Sequence, residues 1–501
     1  MASAEAALVG LGRFTRASPV LVGPSGLGRR CVSPADRCWQ RLPLAQRTGS
    51  EVFAALFQSG TSRPGIAGIA TLLESPYPTV EAGAPARYSI CAGPPHLRHD
   101  DPQLWTPAVG EILPLLRRLA AAAVPPPQSC PCPELPFIGG WLGWLGYDLA
   151  WEIERLPRLR PDPLPFPVAF WYEPAQFAVL DHQAQVLWLA APSLAELAEL
   201  KAKLARPLPL GESSEQVTDA LTLATDRTAF IAAVGQAQDS IRAGDVFQVN
   251  LSLRFSTHTS ASSWQVYRAL QRINPSPFAS YWHTPWGAVS SCSPERLVAL
   301  RDRTAQTRPI AGTRPRGETA TADQVLAQTL GRHPKEIAEH IMLVDLERND
   351  LGRVCRWGSV QVDELMTIER YSHVIHLVSN IIGQLRPDQT AADLIAAMFP
   401  GGTITGCPKV RCMELIEALE PVRRSLFYGS AGYLDARGHL DLNILIRTLL
   451  MARVSQSGHQ QGGHRVWGQV GAGIVADSLP EQEWLESLQK AKAQLLALGL
   501  S

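Results

Sequence analysis

The stretch His333-Pro-Lys-Glu336-Ile-Ala-Glu339-His340-Ile-Met-Leu-Val-Asp-Leu carries two glutamates three residues apart inside a helical pattern spanning 320–345. A three-residue step on a helix puts both carboxylates on one face. The same step recurs near the C-terminus, in Pro480-Glu-Gln-Glu483-Trp-Leu-Glu486-Ser-Leu-Gln-Lys490. Two facing helices with such pairs offer hard oxygen donors, and Mg²⁺ typically takes one or two carboxylates plus substrate and water oxygens. Solvated glutamates on helix faces give the same pattern, so the spacing alone leaves both readings open.

Three further tracts surround these pairs. Phe399-Pro-Gly401-Gly402-Thr403-Ile-Thr405-Gly406-Cys-Pro408-Lys409-Val-Arg411 is glycine-rich backbone running into a helix start, where N–H groups can face an anion. It lacks the Gly-Lys-Ser/Thr ending of a nucleotide-binding P-loop. In Thr307-Arg-Pro-Ile-Ala311-Gly312-Thr313-Arg314-Pro-Arg316-Gly317, the glycine lets backbone approach a ligand and the arginines offer carboxylate forks. A basic surface turn would read the same way. Val344-Asp345-Leu-Glu347-Arg348-Asn349-Asp350 is a polar knot between apolar runs, for which capping and ion pairing suffice.

Composition narrows the function classes. The 501 residues hold 46 basic and 46 acidic side chains, so there is no long-range pull toward a phosphate backbone and nucleic-acid binding is excluded as an expectation. No stretch reaches the roughly 18 apolar residues of a membrane helix; the run at 113–124 is broken by Arg117 and Arg118. Nine cysteines without a CxxC pair fit reduced thiols in a cytoplasm-like compartment, and no Cys/His cluster has zinc spacing. Residues 1–49 hold seven arginines against Glu5 and Asp36. They read as a disordered N-terminal extension in a cytoplasmic protein, or as a transit peptide for plastid import.

From residue 50 onward the chain reads as globular, with a linker at 207–218. Phe137-Ile-Gly-Gly-Trp-Leu-Gly-Trp-Leu-Gly-Tyr147 suits a strand where backbones pack closely. Strand character is expected over 168–189, and a hairpin loop at 457–463 between 444–453 and 465–475. Helical patterns lie at 193–204, 228–243, 320–345, 390–398, 409–419 and 480–498. The class is α/β or α+β.

In this order, four words resemble the chorismate-binding enzymes: anthranilate synthase component I, aminodeoxychorismate synthase component I, and isochorismate or salicylate synthases. They are Pro309-Ile-Ala-Gly-Thr-Arg-Pro-Arg-Gly, Glu339-His-Ile-Met-Leu-Val-Asp-Leu-Glu-Arg-Asn-Asp, Gly402-Thr-Ile-Thr-Gly-Cys-Pro-Lys-Val-Arg and Gly471-Ala-Gly-Ile-Val-Ala-Asp-Ser. The resemblance implies one large sandwich of two antiparallel sheets with helices outside and the active site between. It divides the chain into an N-terminal part, 50–215, and a chorismate-binding region, 225–498. It implies that Glu339 and Glu486 bind Mg²⁺, with Glu336 and Glu483 in or beside that shell. Gly471, Ala472 and Gly473 would offer backbone N–H groups to the enolpyruvyl carboxylate, helped by Arg447. Lys490, Gly312 and Thr313 would complete the anion-binding wall, and His376 and Thr403 would line the ring.

The reaction needs loss of the ring 4-hydroxyl, a poor leaving group unless a carboxylic acid protonates it. Glu295, in Cys292-Ser-Pro-Glu295-Arg-Leu, matches the family's general acid, a job that requires a raised pKa. Isochorismate and salicylate synthases activate water with a lysine, and Gln248 stands at that position. A neutral amide is a poor base, so the resemblance implies ammonia as nucleophile, supplied by a glutamine amidotransferase partner.

Anthranilate synthases add ammonia at ring position 2 and eliminate pyruvate, toward tryptophan. Well-known aminodeoxychorismate synthases, on the route to folate, attack first with a lysine where this chain has Ala311. That favours anthranilate. Phe427 in place of an expected tyrosine, and the wording at Leu419-Glu-Pro-Val-Arg-Arg and Gly146-Tyr-Asp-Leu, favour aminodeoxychorismate. A chorismate-binding paralogue without catalysis is a further alternative. Leu72-Leu-Glu74-Ser75 and Asn274-Pro-Ser-Pro277-Phe278-Ala279 match the tryptophan-binding words of anthranilate synthases, but Phe278 and Ala279 replace tyrosine and methionine. Weak or absent inhibition by tryptophan is expected; a core strand beside a Pro-rich loop would read alike.

Overall fold

Short, continuous apolar runs make three strands of the 168–189 region and just beyond it, buried on both faces: Ala169–Tyr172, Phe177–Asp181 and Val186–Ala191. In this computed structural model the described residues are 37–75, 87–123, 134–207, 216–370, 374–454 and 463–500. Among them, two large antiparallel sheets dominate. The first, of twelve strands, runs from the edge strand Cys38–Pro43 through Val186–Ala191, Phe177–Asp181, Tyr88–Ala92, Ala70–Glu74, Phe278–Thr284, Gly287–Ser293, Thr448–Arg453 and His464–Ile474 to Gln248–Thr259. The second, of ten strands, includes Ile310–Pro315, Val374–Gln384, Thr304–Thr307, Arg296–Arg301, Leu440–Asn443, Ser430–Asp435, Gly140–Leu145 and Ala169–Tyr172.

The two sheets meet through side chains. Tyr172 donates to Thr71 Oγ1 at 2.9 Å, and Trp144 sits edge-on to Trp282. Helices Arg227–Arg242, Lys409–Leu419 and Pro480–Ala497 bury Phe230, Val234, Cys412, Ile416, Trp484 and Ala491 against the first sheet. Residues before and after position 215 supply strands to both sheets, so the 50–215 and 225–498 regions are interleaved. Among the described residues, no helix is long and apolar enough to cross a membrane.

Two expectations are corrected. The ordered body starts before residue 50: Cys38–Pro43 pairs with Val186–Ala191 along its whole length, and Arg37 is bound to Glu173 at 3.3 Å and to the Ala175 carbonyl at 2.7 Å. Six residues of edge strand are too short to stand out within an Arg-rich composition. Residues 1–36 lie outside the described residues. The single 320–345 helix is two, Ala320–Leu330 and Pro334–Gly352, because Gly331 ends the first and Pro334 opens the second. At Gly143, a Cβ would lie 2.5 Å from the Trp171 ring, the close approach that its glycines imply. The expected loop at 457–463 falls mostly outside the described residues, and the strands Thr448–Arg453 and His464–Ile474 pair as a hairpin.

Candidate active site

One strand organises the site. Thr448–Arg453 covers only His464–Gly468, so residues 469–474 have an outer edge free of strand pairing on that side. The Gly471 carbonyl points that way and accepts from Lys490 Nζ at 3.0 Å. Alternate residues of a strand turn their backbone groups to the same side, so the N–H groups of Gly471 and Gly473 share this edge. Ala472 faces its partner Leu251 instead, which takes its N–H out of the expected trio. Arg447, with φ +52°, donates to the Lys490 carbonyl at 2.9 Å, and Lys490 pairs with Glu486 at 2.8 Å.

Helix Pro334–Gly352 approaches the same strand from the other side. Gln248 Nε2 donates to Glu339 Oε1 at 3.1 Å, and a Cβ on Gly473 would lie 3.7 Å from that carboxylate oxygen and collide with the Gln248 amide. Glu336 pairs with Arg314 at 3.2 Å. Gly312, with φ +65°, forms a bulge opposite His376; a side chain there would press to 2.7 Å on Glu336. Thr313 is the strand partner of His376. His376 is buried, and that burial pushes its imidazole down to about 4, so it is neutral at working pH. Glu483 is buried on the Pro480–Ala497 helix.

The expected ring of four carboxylates round one ion is not what the chain shows. Among the described residues, no group of three or more His, Cys, Asp or Glu is arranged to hold a metal. Instead Glu336 and Glu339, both half-buried, and Glu486, which is exposed, each pair with a different donor. The donor set still fits Mg²⁺, which needs only one or two carboxylates when substrate and water supply the remaining oxygens.

Glu295 lies deeper, 6% exposed, just before strand Arg296–Arg301. Burial pushes its carboxyl up to about 7, and the facing Thr403 hydroxyl offsets part of that rise. Neither Glu295 Oε1 nor Thr403 Oγ1 closes a hydrogen bond of ordinary geometry. Thr403 is carried by the 402–404 turn, where Leu346 of helix Pro334–Gly352 packs on Gly402.

That helix also holds a residue that sequence reasoning passed over. Glu347, assigned to capping and ion pairing, is buried and bonded to Thr307 at 2.6 Å. Asp350 does form the expected ion pair, with Lys409 at 2.7 Å. A signal existed: Glu336, Glu339, Leu343, Glu347 and Asp350 follow steps of three and four, one continuous helix face.

Apart from this cleft, Glu74, Ser75, Pro277 and Phe278 line one cavity of about 350 Å³, together with Arg87 and Arg296. Glu74 is turned inward, accepting from the Ser50 N–H and hydroxyl, both at 2.6 Å, and from Tyr267 at 2.8 Å. The Arg296 guanidinium covers the Phe278 ring at 5.2 Å.

Comparison with known proteins gives this geometry a family. The model of the chorismate binding enzymes matches residues 79–496. An anthranilate synthase component I-like protein of Synechocystis is 55% identical over 99% of both chains. Aminodeoxychorismate synthase component 1 of Bacillus subtilis is 44% identical, over 73% of this chain and 78% of its own. Among solved structures, anthranilate synthase component I of Streptococcus pneumoniae superposes with a TM-score of 0.69 at 31% identity, covering 84% of this chain and 95% of that one. With the family model matching most of its length and a relative 55% identical end to end, the chain belongs to the chorismate-binding enzyme family.

Proposed function

We propose that the enzyme aminates chorismate in a Mg²⁺-dependent reaction, giving anthranilate and pyruvate, with ammonia supplied by a separate glutamine amidotransferase subunit in the cytoplasm. The observation that carries this reading is Glu295: a buried carboxyl held near pH 7, in a site whose base position is the neutral Gln248. Arg447, Lys490 and the N–H groups of Gly471 and Gly473 bind the carboxylates of a dianionic substrate. Glu295 gives its proton to the departing 4-hydroxyl, which leaves as water. Gln248 lends no basicity to water, so ammonia, itself a nucleophile, is the group that attacks.

Glu339 and Glu486 would hold Mg²⁺, with Glu336 and Glu483 beside them. Held there, its charge would neutralise the ring carboxylate of the substrate. Ala311, buried in strand Ile310–Pro315, has no group able to attack the ring, which supports anthranilate. Aminodeoxychorismate is the second reading, favoured by Phe427, buried under the Arg254 guanidinium at 5.3 Å where a tyrosine is expected for anthranilate.

With chorismate, Mg²⁺ and an ammonium salt, the purified chain should consume chorismate, and glutamine alone should not replace ammonium. Chorismate left untouched would contradict the reading and point to a non-catalytic binder. Because Glu74 is engaged inward and Arg296 covers Phe278, micromolar tryptophan should leave the rate unchanged; strong inhibition in the same assay would overturn that.

A further inference from the structure

The Leu419-Glu-Pro-Val-Arg-Arg424 word closes a gap in the strand that carries Gln248. Along one edge, Gln248–Thr259 pairs with Gly406–Cys407 at residues 248 and 249, and with Thr222–Leu223 at residues 255 and 256. Between these pairings, among the described residues, no strand covers that edge. Buried backbone groups there still need partners. The Asn250 N–H donates to the Thr405 carbonyl at 2.8 Å, and the Ser252 N–H to Glu420 Oε1 at 2.8 Å. The Asn250 carbonyl accepts from Arg424 Nη2 at 2.7 Å. An ion pair beyond the end of helix Lys409–Leu419 thus stands in for a strand.

Arg424 reaches further than this edge. Its Nη1 donates to the Ile404 carbonyl at 2.7 Å, while Nε and Nη2 grip Glu420, with a shortest contact of 2.6 Å. The side chain is 1% exposed, and the Tyr147 and Tyr428 rings pack against the guanidinium at 5.0 and 4.5 Å. A guanidinium is a rigid plane with five N–H donors, so it holds two carbonyls and a carboxylate at fixed separations. Both carbonyls belong to walls of the cleft. Ile404 directly follows Thr403, which faces Glu295, and Asn250 lies two residues along the strand from Gln248. A lysine at 424 would keep the charge opposite Glu420, but its single ammonium lacks the fork that spans both carbonyls.

We propose that Arg424 is a positioning residue for the amination step: its guanidinium fixes the Thr403 turn and the Gln248 strand to each other, so that the groups beside the departing hydroxyl and the incoming nitrogen keep one separation. This rests on the amination reading given above. Arg424 is paired with Glu420, so it acts through geometry and not through attraction for a dianion.

The test compares the full chain with its Arg424→Lys variant, using chorismate, Mg²⁺ and an ammonium salt. Misplacing reacting groups by about an ångström costs up to about 10²-fold, so kcat should fall about 10–100-fold. The KM for chorismate should stay within about twofold, because the Arg447 and Lys490 wall is untouched. Thr403→Val and the double variant complete a cycle. If Arg424 acts through the Thr403 turn, the double variant should be no slower than the slower single variant, whereas a general brace of the fold predicts losses that multiply. Multiplied losses, a rise in KM in place of the fall in kcat, or an unchanged kcat in Arg424→Lys would overturn the inference. Should Arg424→Lys fail to fold, Tyr147→Leu takes its place in the cycle with the same outcomes, since it withdraws one ring from the guanidinium and the Tyr147 hydroxyl makes no hydrogen bond. Absence of product from the wild type would overturn the amination reading instead.

Discussion

Glu295 and Glu347 are carboxyls raised far above the ordinary value of 4.5. For such groups the folded state binds protons that the unfolded chain has released. Their stabilising effect is complete below 4.5 and is lost as pH rises through about 7 and about 8. Glu295→Gln should therefore melt higher than the wild type above pH 8 and at the same temperature below pH 4.5, as read by calorimetry. Its kcat should drop by about 10²–10⁴-fold, the usual worth of a general acid. A wild-type-like rate in this variant would remove Glu295 from the chemistry. Gly473→Ala probes the opposite wall. Its methyl meets the end of a side chain rather than backbone, so the fold should survive while the Gln248 amide is displaced. Activity should fall at least about tenfold with a small shift in melting temperature; unchanged kinetics would mean that Gln248 does not line the substrate. At this scale the sequence was informative about which residue types matter, because each motif quoted a charge or a glycine. It called for a raised pKa at Glu295 but gave no sign of one at Glu347, which reads as a capping or ion-paired glutamate until its burial and the Thr307 bond are seen.

Among elements, the Pro334–Gly352 helix is the clearest case of partial legibility. Its first glutamate pair was visible as a three-residue step, yet the same face continues through Leu343 to the buried Glu347 and Asp350. Gly331 and Pro334 punctuate the preceding turn and are lost when a long helical period is read straight through. The Cys38–Pro43 strand was missed for a different reason: it exists because a partner edge 140 or more residues away covers it, information that is not local. Arg37 fastens this strand by a buried ion pair with Glu173, side chains only 5% and 6% exposed. Arg37→Ala leaves the buried Glu173 carboxylate to Arg98 alone, so the loss should stay below the roughly 3–5 kcal/mol of an unpaired buried charge. Arg98, 3.8 Å away, is the remaining cation. A clear fall in the denaturation midpoint is expected, and an unchanged midpoint would show that the edge strand is dispensable.

Across the whole molecule, both sheets draw strands from either side of residue 215, and the cleft collects groups as distant in the chain as Gln248 and Lys490. The sandwich and its family were legible from four motifs in order. The pairing of individual carboxylates was not, since it depends on which donors the fold brings to each: Arg314 to Glu336, Gln248 to Glu339, Lys490 to Glu486. The claim on which the account turns is the ring position that nitrogen enters. Reacting chorismate with ¹⁵N-labelled ammonium and resolving the products by mass spectrometry and fluorescence tests it directly. The account predicts fluorescent ¹⁵N-anthranilate with an equal amount of pyruvate; labelled aminodeoxychorismate with its enolpyruvyl group intact, and no pyruvate, would contradict it.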